Sequence, residues 1–182
     1  MSHEFVAGRL DVKAFAQAGT ALSGRDRLAR FERLLDEAGG QGADREVSWK
    51  ARGEMPVDAS GHSRVWLHLS ARVSLPLTCQ RCLGAADVDV AVDRSFRFVA
   101  TEAQAEAEDE ESEEDVLMLS RDFDLYALIE DELLMALPLV PRHEVCPTVV
   151  QLSAEDPDFE AAGATRPNPF AALAGLKGGK RQ

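Results

Sequence analysis

Three stretches of the chain alternate between apolar and polar side chains with a period of two residues. Residues 65–75 alternate without a break, residues 87–98 largely repeat the pattern, and residues 45–55 form a shorter run. Such alternation is typical of half-buried antiparallel strands, which place one face on a core and the other face in water. Because short links join the three runs, we predict an antiparallel meander whose apolar face must be covered by other elements.

Helical patterns on both sides of these runs supply that cover. From Ser23, a favourable N-cap residue, large apolar side chains recur at helical spacing as far as Leu35. A second amphipathic helix is predicted to begin after Asp122 or Asp124, either of which could cap it, and to end at Pro138, which cannot continue a helix. Residues 11–17 are amphipathic but too short to distinguish a helix from a strand.

These elements predict an α+β fold, in which helices cover an antiparallel β-meander that forms a sheet or a partial barrel. We expect a single domain over residues 23–150, preceded by an N-terminal segment (residues 1–22). Residues 151–182 are polar and rich in Ala, Pro and Gly. We therefore predict a flexible tail there, with a short apolar helix that begins near Pro169 and is followed by basic residues.

The negative charge of the chain is concentrated in one place. The 32 acidic and 20 basic residues give a net charge of −12, and nine of the fourteen residues from Glu102 to Asp115 are acidic. Without this stretch, the rest of the chain carries a charge of −3. We name residues 102–115 the acidic segment. It lacks hydrophobic periodicity and repels itself, so we expect an extended, disordered loop.

Several classes of protein are excluded by composition. No apolar run approaches the ~20 residues of a membrane-spanning helix, and the first ten residues have no long apolar core, so we expect no secretory signal. Three cysteines do not make a disulfide scaffold, and we expect reduced thiols and a cytoplasmic location. The acidic balance also argues against coating naked RNA by bulk charge, because Lys and Arg drive phosphate binding.

The strongest local motif is Cys79-Gln-Arg-Cys82, in the turn between the second and third predicted strands. Two thiolates at this spacing point into one small volume when the backbone turns tightly, and Gly84 would permit that turn. After the second helix, His143-Glu-Val-Cys146 supplies a matching half-site. Together the four side chains predict a Cys3His shell for a structural zinc ion, since closed shells of nitrogen and sulfur are usually structural.

Two other interpretations of the cysteines remain open at this point. One is a thiol redox protein or sensor that uses Cys79 and Cys82, although a thioredoxin-like motif normally opens a helix rather than a β-turn. The other is a set of thiols that bind no ligand. More than sixty residues separate the two half-sites, so only the fold can bring them together.

The remaining candidate residues are weaker. His68 lies on the polar face of a strand, which favours a solvated or partner-facing side chain. The carboxylates around the second helix are interpreted as caps and solvated charge, namely Asp122, Asp124, Glu130, Asp131 and Glu132. The arginines between Arg25 and Arg33 are interpreted as a solvated helix face. The sequence contains no Gly-rich phosphate loop and no nucleophile elbow, so we do not expect an enzyme.

The order of several motifs resembles the YceD family. The resemblance rests on Cys79–Leu83, Asp124–Leu125, Glu130–Leu133, Leu137–His143, and Asn168–Leu173 followed by Leu176–Lys177. It implies a bacterial protein required for accumulation of large-subunit (23S) ribosomal RNA, with no enzymatic activity assigned. By position, Cys79, Cys82, His143 and Cys146 correspond to recurring Cys and His positions of the family.

The charge of the chain favours one kind of partner among those that this resemblance implies. A chain of this acidity is more suited to binding a basic ribosomal protein or a large-subunit precursor particle than to coating RNA, because the acidic segment attracts Lys and Arg. A direct contact with ribosomal RNA is the remaining hypothesis. It would need a basic surface formed by Arg45, Lys50, Arg52, Arg64 and Arg72.

Overall fold

A computed structural model describes residues 4–57, 61–110, 112, 114–149 and 170. Within these residues the chain forms four α-helices and five β-strands. The helices are α1 (Val12–Gln17), α2 (Glu32–Glu37), α3 (Glu102–Asp109) and α4 (Leu125–Met135). The strands are β1 (Ala21–Arg27), β2 (Glu46–Glu54), β3 (Val65–Thr78), β4 (Ala85–Val99) and β5 (Asp115–Met118).

The chain divides into two units by its internal contacts, residues 1–146 and residues 147–182. The second unit is described only at residues 147–149 and 170. The helix predicted near Pro169 and most of the predicted tail therefore lie outside the described residues. All five strands and all four helices belong to the first unit.

The five strands form one open sheet in the order β1-β2-β3-β4-β5. The first four are antiparallel neighbours, which confirms the predicted α+β fold and its meander. The fifth strand departs from the meander because Phe96–Val99 of β4 pair in parallel with Asp115–Met118 of β5. A parallel neighbour requires a crossover connection, and α3 lies in that connection.

The inner face of the sheet and three helices enclose the hydrophobic core. Alternate residues of β3 from Val65 to Leu75 are buried in it, as the pattern predicted. Residues 11–17, which the sequence left undecided, lie mainly in α1, and Asp11 caps this helix by accepting a hydrogen bond from the Ala14 N–H. The largest fully buried side chains include Phe15 of α1, Phe31, and Ile129 of α4.

The prediction of a long helix from Ser23 is wrong. Ser23 lies in β1, whose residues pair with β2 and alternate between exposed and half-buried. In place of the predicted helix, this region contains a 3-10 turn at Leu28–Arg30 and the short helix α2. The apolar spacing of Leu28 and Phe31 still marks buried positions. Pairing with the edge of β2 outweighs a local pattern that was compatible with a helix.

The prediction of an extended loop over the whole acidic segment is also wrong. Residues 102–109 form α3, which Thr101 caps by accepting a hydrogen bond from the Gln104 N–H, and β5 begins at Asp115. Ala105 packs in a small apolar cluster with Val99 and Val116. A few apolar contacts thus attach the segment to the sheet. Its mainly acidic composition did not predict them.

Arg97 of β4 holds the acidic segment by charge. The residue is 5% exposed. Its guanidinium forms ion pairs with Glu108 and, at 3.2 Å, with Glu114, and it donates a hydrogen bond to the Ser112 hydroxyl at 2.8 Å. The hydrogen bond from Arg97 is also the main reason why the pKa of Glu108 is lowered. A buried cation therefore pairs with carboxylates that would otherwise repel one another.

One of the two capping carboxylates of the second predicted helix has partners that sequence reasoning did not foresee. Asp124 caps α4, as predicted, by accepting hydrogen bonds from the N–H groups of Tyr126 and Ala127. Glu130, interpreted above as solvated charge, accepts hydrogen bonds from the Arg33 and Leu34 N–H groups instead. It thus caps α2 from another helix, because α2 has no capping side chain of its own.

Replacing Gly53 by Ala should destabilise the domain by about 1–3 kcal/mol, because overpacking of a filled core costs that much. A Cβ at Gly53 would lie 2.7 Å from a ring carbon of Phe15 and 2.8 Å from the backbone Cα of Ala16. Gly8→Ala is the matched control, since its Cβ would approach nothing closer than 3.9 Å. Urea unfolding of both variants checks this prediction, and equal stabilities would contradict it.

Replacing Arg97 by Met should release α3 and β5 from the sheet, because the retained carboxylates then lose their cation. We expect amide hydrogens of residues 102–118 to exchange about tenfold faster or more, with little change in residues 65–75. Hydrogen exchange measured by mass spectrometry checks this expectation. Arg94→Met is the control, since among the described residues Arg94 pairs only with Asp115, at an exposed position.

Acid should have the same local effect as removing Arg97. Because the pKa of Glu108 is lower in the folded chain than its ordinary value of 4.5, its pairing stabilises the fold above that ordinary pKa. The stabilisation is lost as the pH falls through the lowered pKa. Exchange of residues 102–109 that does not change between pH 6 and pH 3, after correction for intrinsic rates, would contradict this role of the pair.

Candidate metal centre

The structure brings together all four side chains that the sequence predicted as ligands. One ligand atom from each of Cys79, Cys82, His143 and Cys146 lies within 4.8 Å of every other. The Cys79 and Cys146 sulfurs are 3.9 Å apart, and the Cys82 sulfur is 3.4 Å from Nδ1 of His143. We name these four residues the Cys3His cluster.

The first half of the cluster is built by the turn between β3 and β4. Cys79 follows the last residue of β3, and its N–H and carbonyl bond to the Gly84 carbonyl and the Leu83 N–H, at 2.9 and 2.8 Å. The left-handed residue of the turn is Leu83, with φ of 59°, rather than Gly84. The two hydrogen bonds within the turn hold Leu83 in this left-handed conformation, which costs free energy for a residue with a Cβ.

The second half is held against this turn by backbone hydrogen bonds. After α4 ends at Met135, the chain passes Pro141, whose carbonyl accepts a hydrogen bond from the Gln80 N–H at 2.8 Å. The Arg81 side chain donates to the His143 carbonyl at 2.6 Å and to the Glu144 carbonyl at 3.3 Å. The two residues between Cys79 and Cys82 thus position the distant half-site.

The hydrogen bond of His143 determines which ring nitrogen is available as a ligand. Its Nε2 lies 2.9 Å from the Ala85 carbonyl oxygen. A carbonyl only accepts, so Nε2 carries the proton and donates, which leaves the lone pair of Nδ1 directed at the sulfur side of the cluster. Orientation of a ligand histidine by a backbone carbonyl is a common feature of metal sites in proteins.

The surroundings of Cys79 favour a thiolate. Burial works against the charged form, but it is outweighed by hydrogen bonds to the sulfur from three backbone N–H groups, those of Cys82, His143 and Arg81. The pKa of Cys79 is therefore lowered from 9.0 to about 5. Burial, together with the neighbouring sulfurs of Cys82 and Cys79, raises the pKa of Cys146. Crowded sulfurs of this kind cannot all ionise unless a cation lies among them.

The dimensions of the cluster suit a tetrahedral zinc ion. With Zn–S bonds of about 2.3 Å, two thiolates of a tetrahedron lie about 3.8 Å apart, and the Cys79–Cys146 separation is 3.9 Å. Three sulfurs and one nitrogen fill all four positions, so no position is left for a substrate or an activated water. Such a shell suits a structural ion that links the two half-sites.

The other residues singled out in the sequence do not join this cluster. Asp122 pairs with Arg9, and Asp131 pairs with Arg33. His68 lies on the outer face of the sheet as predicted, with Nδ1 2.7 Å from the Ser95 hydroxyl and Nε2 2.9 Å from a Glu54 oxygen. Within the part of the chain that the structure describes, the Cys3His cluster is the group of side chains arranged like a metal shell.

Charged residues of the hypothetical RNA surface are only partly brought together. Lys50, Arg52 and Arg72 lie on the outer face of the sheet, whereas Arg45 pairs with Asp87 at 2.6 Å. Trp66 shares this face, and the alternation of residues 65–75 is the signal in the sequence that could have located it. No helix among the described residues combines the length and the hydrophobicity needed to cross a membrane.

Comparisons with known proteins identify similar chains. The large ribosomal RNA subunit accumulation protein YceD of Haemophilus influenzae is 35% identical over 111 residues, an alignment that covers 58% of this chain and 62% of that protein. The match thus spans less than two thirds of the relative's length. No solved structure matches the chain significantly.

The comparison with family models covers both halves of the Cys3His cluster. Residues 67–177 match the family described as large ribosomal RNA subunit accumulation protein YceD. This range is more than half of the chain, and it includes Cys79, Cys82, His143 and Cys146. The chain therefore belongs to the YceD family.

Proposed function

We propose that this chain is a non-enzymatic factor of ribosome biogenesis that supports the accumulation of large-subunit ribosomal RNA. The observation that carries the proposal is the family match over residues 67–177, because the family is described by that role. We place the activity in the cytoplasm, where bacterial ribosomes are assembled and thiols stay reduced. A closed four-ligand centre in place of an open catalytic one supports a scaffolding role.

We further propose that the Cys3His cluster holds one structural zinc ion. The ion would join the β3–β4 turn to the segment that leaves α4, two parts of the chain that otherwise meet through the hydrogen bonds of Gln80 and Arg81. The separations of the sulfurs and the fixed tautomer of His143 both fit this ligand set. Zinc would thus stabilise the end of the hairpin without taking part in a reaction.

The acidic helix α3 suits a basic protein partner. Four of its eight residues are acidic, and Glu102, Glu106 and Asp109 are exposed to solvent. Attachment of α3 to Arg97 presents this charge on an ordered surface, which costs less entropy on binding than an extended loop would. We propose that a ribosomal protein, or a large-subunit precursor particle that contains one, is attracted to this surface.

Elemental analysis should find one zinc ion per chain, and His143→Asn and Cys146→Ser should each lose most of it. A tetrahedral shell with one ligand removed binds zinc far more weakly, so we expect the thermal midpoint to fall by about 5 °C or more. His68→Asn is the matched control, since His68 lies on the outer face of the sheet, away from the cluster. It should keep its zinc.

Thiol reactivity distinguishes zinc binding from redox chemistry. Zinc-bound thiolates react slowly with a thiol reagent until a chelator is added. A purified chain without metal that forms a reversible Cys79–Cys82 disulfide would contradict the structural ion and would favour the redox alternative. Wild-type zinc content in the Cys146→Ser variant would also contradict the proposed ligand set.

Deleting the gene in its own organism should lower the ratio of large- to small-subunit ribosomal RNA, and the intact chain should restore it. The physical reason is that incompletely assembled large-subunit RNA is exposed to nucleases. Quantifying 23S and 16S RNA by gel or by sequencing checks this prediction, with the 16S level as the internal control.

The proposed function would be contradicted by an unchanged ratio in the deletion strain. It would also be contradicted if affinity capture of the chain from growing cells recovered neither ribosomal proteins nor precursor RNA. A chain with Glu102→Gln, Glu106→Gln and Asp109→Asn should recover less ribosomal protein than the wild type, if α3 is the attracting surface.

A further inference from the structure

The outer face of the sheet is open across three strands. Residues of β1, β2 and β3 that point away from the core are exposed or half-buried, whereas α3 covers this face only near β4 and β5. The side chains on the open part come from alternate positions of the strands, such as Arg25, Lys50 and Arg72. An open sheet face with long polar side chains is available to a partner.

Cations dominate the part of this face nearest to β1. In one row of paired residues Arg25 faces Ser48, which faces Arg72, and in the next row Ser23 faces Lys50, which faces Ser70. Arg27 and Arg52 extend the same surface. We name it the basic face, formed by Ser23, Arg25, Arg27, Ser48, Lys50, Arg52, Ser70 and Arg72.

Three of these cations, Arg27 on the edge strand and Lys50 and Arg72 nearer the centre, have no ion pair within the described residues. Within the described residues Lys50 forms no ion pair, and Arg72 donates a hydrogen bond only to the Ser48 hydroxyl, at 3.1 Å. Arg25 and Arg52 are paired with Glu46 and Glu54, respectively. The centre of the basic face therefore carries a net positive charge, although the chain as a whole is acidic.

A shallow groove of about 520 Å³ crosses the middle of the basic face. The residues that line it include the small Ser48, Ser70 and Ala91 and the cationic Lys50 and Arg72. Asp93 bounds the groove on the β4 side. Hydroxyl donors between two cations suit a phosphate group, whereas an aspartate on one side restricts a polyanion to the side nearer β1.

Two aromatic rings lie beside the groove. Trp66 and His68 occupy the same face of β3, with ring planes 5° apart and centroids separated by 6.3 Å. His68 is the outward residue that precedes Ser70 on β3. Its contacts with Ser95 and Glu54 keep its ring in place. Half-buried rings on a sheet face offer a surface on which nucleobases stack.

We infer that the basic face binds single-stranded RNA. The phosphodiester backbone would lie in the groove against Lys50, Arg72 and the serine hydroxyls, and a base would stack on Trp66. The large apolar residues among those lining the groove, Trp49 and Val92, belong to the core side of the sheet and offer little anchor for a protein. The cations, hydroxyls and neighbouring rings are the groups that recognise single strands. This inference rests on the proposed function for the identity of the RNA, a large-subunit precursor.

The charge arrangement explains how an acidic protein can bind RNA. The carboxylates of α3 lie towards the opposite edge of the sheet from β1, whereas Asp93 of β4 borders the groove opposite Ser70. At physiological salt, charges more than about 8 Å apart are largely screened from one another. A strand bound on the side of the groove nearer β1 is therefore little affected by α3, and Asp93 is the acidic group that borders it.

Fluorescence anisotropy with a labelled ten-nucleotide RNA of mixed sequence tests the inference on the full chain. Lys50→Glu combined with Arg72→Glu should weaken binding at least about tenfold, and the slope of log affinity against log salt should decrease by about 1.4, since each contact with a single strand contributes about 0.7. The matched control is Lys13→Glu combined with Arg121→Glu, which makes the same charge change at exposed positions off this face.

Trp66 provides a readout that a general loss of charge does not affect. Trp66→Leu should weaken binding roughly five- to a hundredfold, the range measured for loss of one stacked base. RNA should quench the fluorescence of Trp66 in a Trp49→Phe variant, which leaves Trp66 as the one tryptophan of the chain. Thermal unfolding of every variant verifies that the domain is folded.

Several outcomes would overturn the inference. They are equal RNA affinity in the two double variants, no detectable binding by the wild type up to about 100 μM in 50 mM salt, and RNA binding without quenching of Trp66. Loss of ribosomal-protein capture by the Lys50→Glu, Arg72→Glu chain with unchanged RNA affinity would assign the basic face to a protein instead.

The deletion strain separates this inference from the proposed function. If the Lys50→Glu, Arg72→Glu chain restored the ribosomal RNA ratio as fully as the wild type, the inference would be wrong and the proposed function would stand. If deletion left the ratio unchanged while the purified basic face bound RNA, the proposed function would fail and RNA binding by this face would stand.

Discussion

The antiparallel pairing of β3 with β4 is the interaction on which the rest of the structure depends. Fourteen residue pairs join the strands from Val65–Phe98 to Thr78–Ala85. The inner face of this hairpin buries the core, and its turn carries Cys79 and Cys82. Since a slip of one residue would exchange the two faces of a strand, burial of the inner face also determines which residues form the outer face.

Separation of charge lets one small domain present two different surfaces. Arg97 is buried between β4 and the acidic segment, so several carboxylates gather at the β4–β5 edge. The cations of β1, β2 and β3 are left on the open part of the sheet. A ribosomal precursor contains both RNA and basic proteins, and the two surfaces suit these two components. The proposed zinc ion would stabilise the hairpin end without altering either surface.

The sequence predicted the parts of the fold in which local pattern and burial agree. Alternation located β2, β3 and β4, and Asp124 marked the start of α4. It missed β1, because Ser23, Gly24 and Asp26 are poor strand formers that pair only because the edge of β2 is available. The helix α3 was not predicted either. Repulsion among the acidic residues gives no indication that a buried arginine elsewhere in the chain pairs with them.

For the candidate site, the sequence by itself determined which chemical groups are present and how each half-site is spaced. Only the tertiary structure decided that the halves meet, because more than sixty residues separate Cys82 from His143 and a hydrogen bond from Gln80 to Pro141 closes that distance. The same holds for the basic face. Nothing in the sequence distinguishes Lys50 and Arg72 from the other basic residues. The register of the strands places both of them in the lining of one groove.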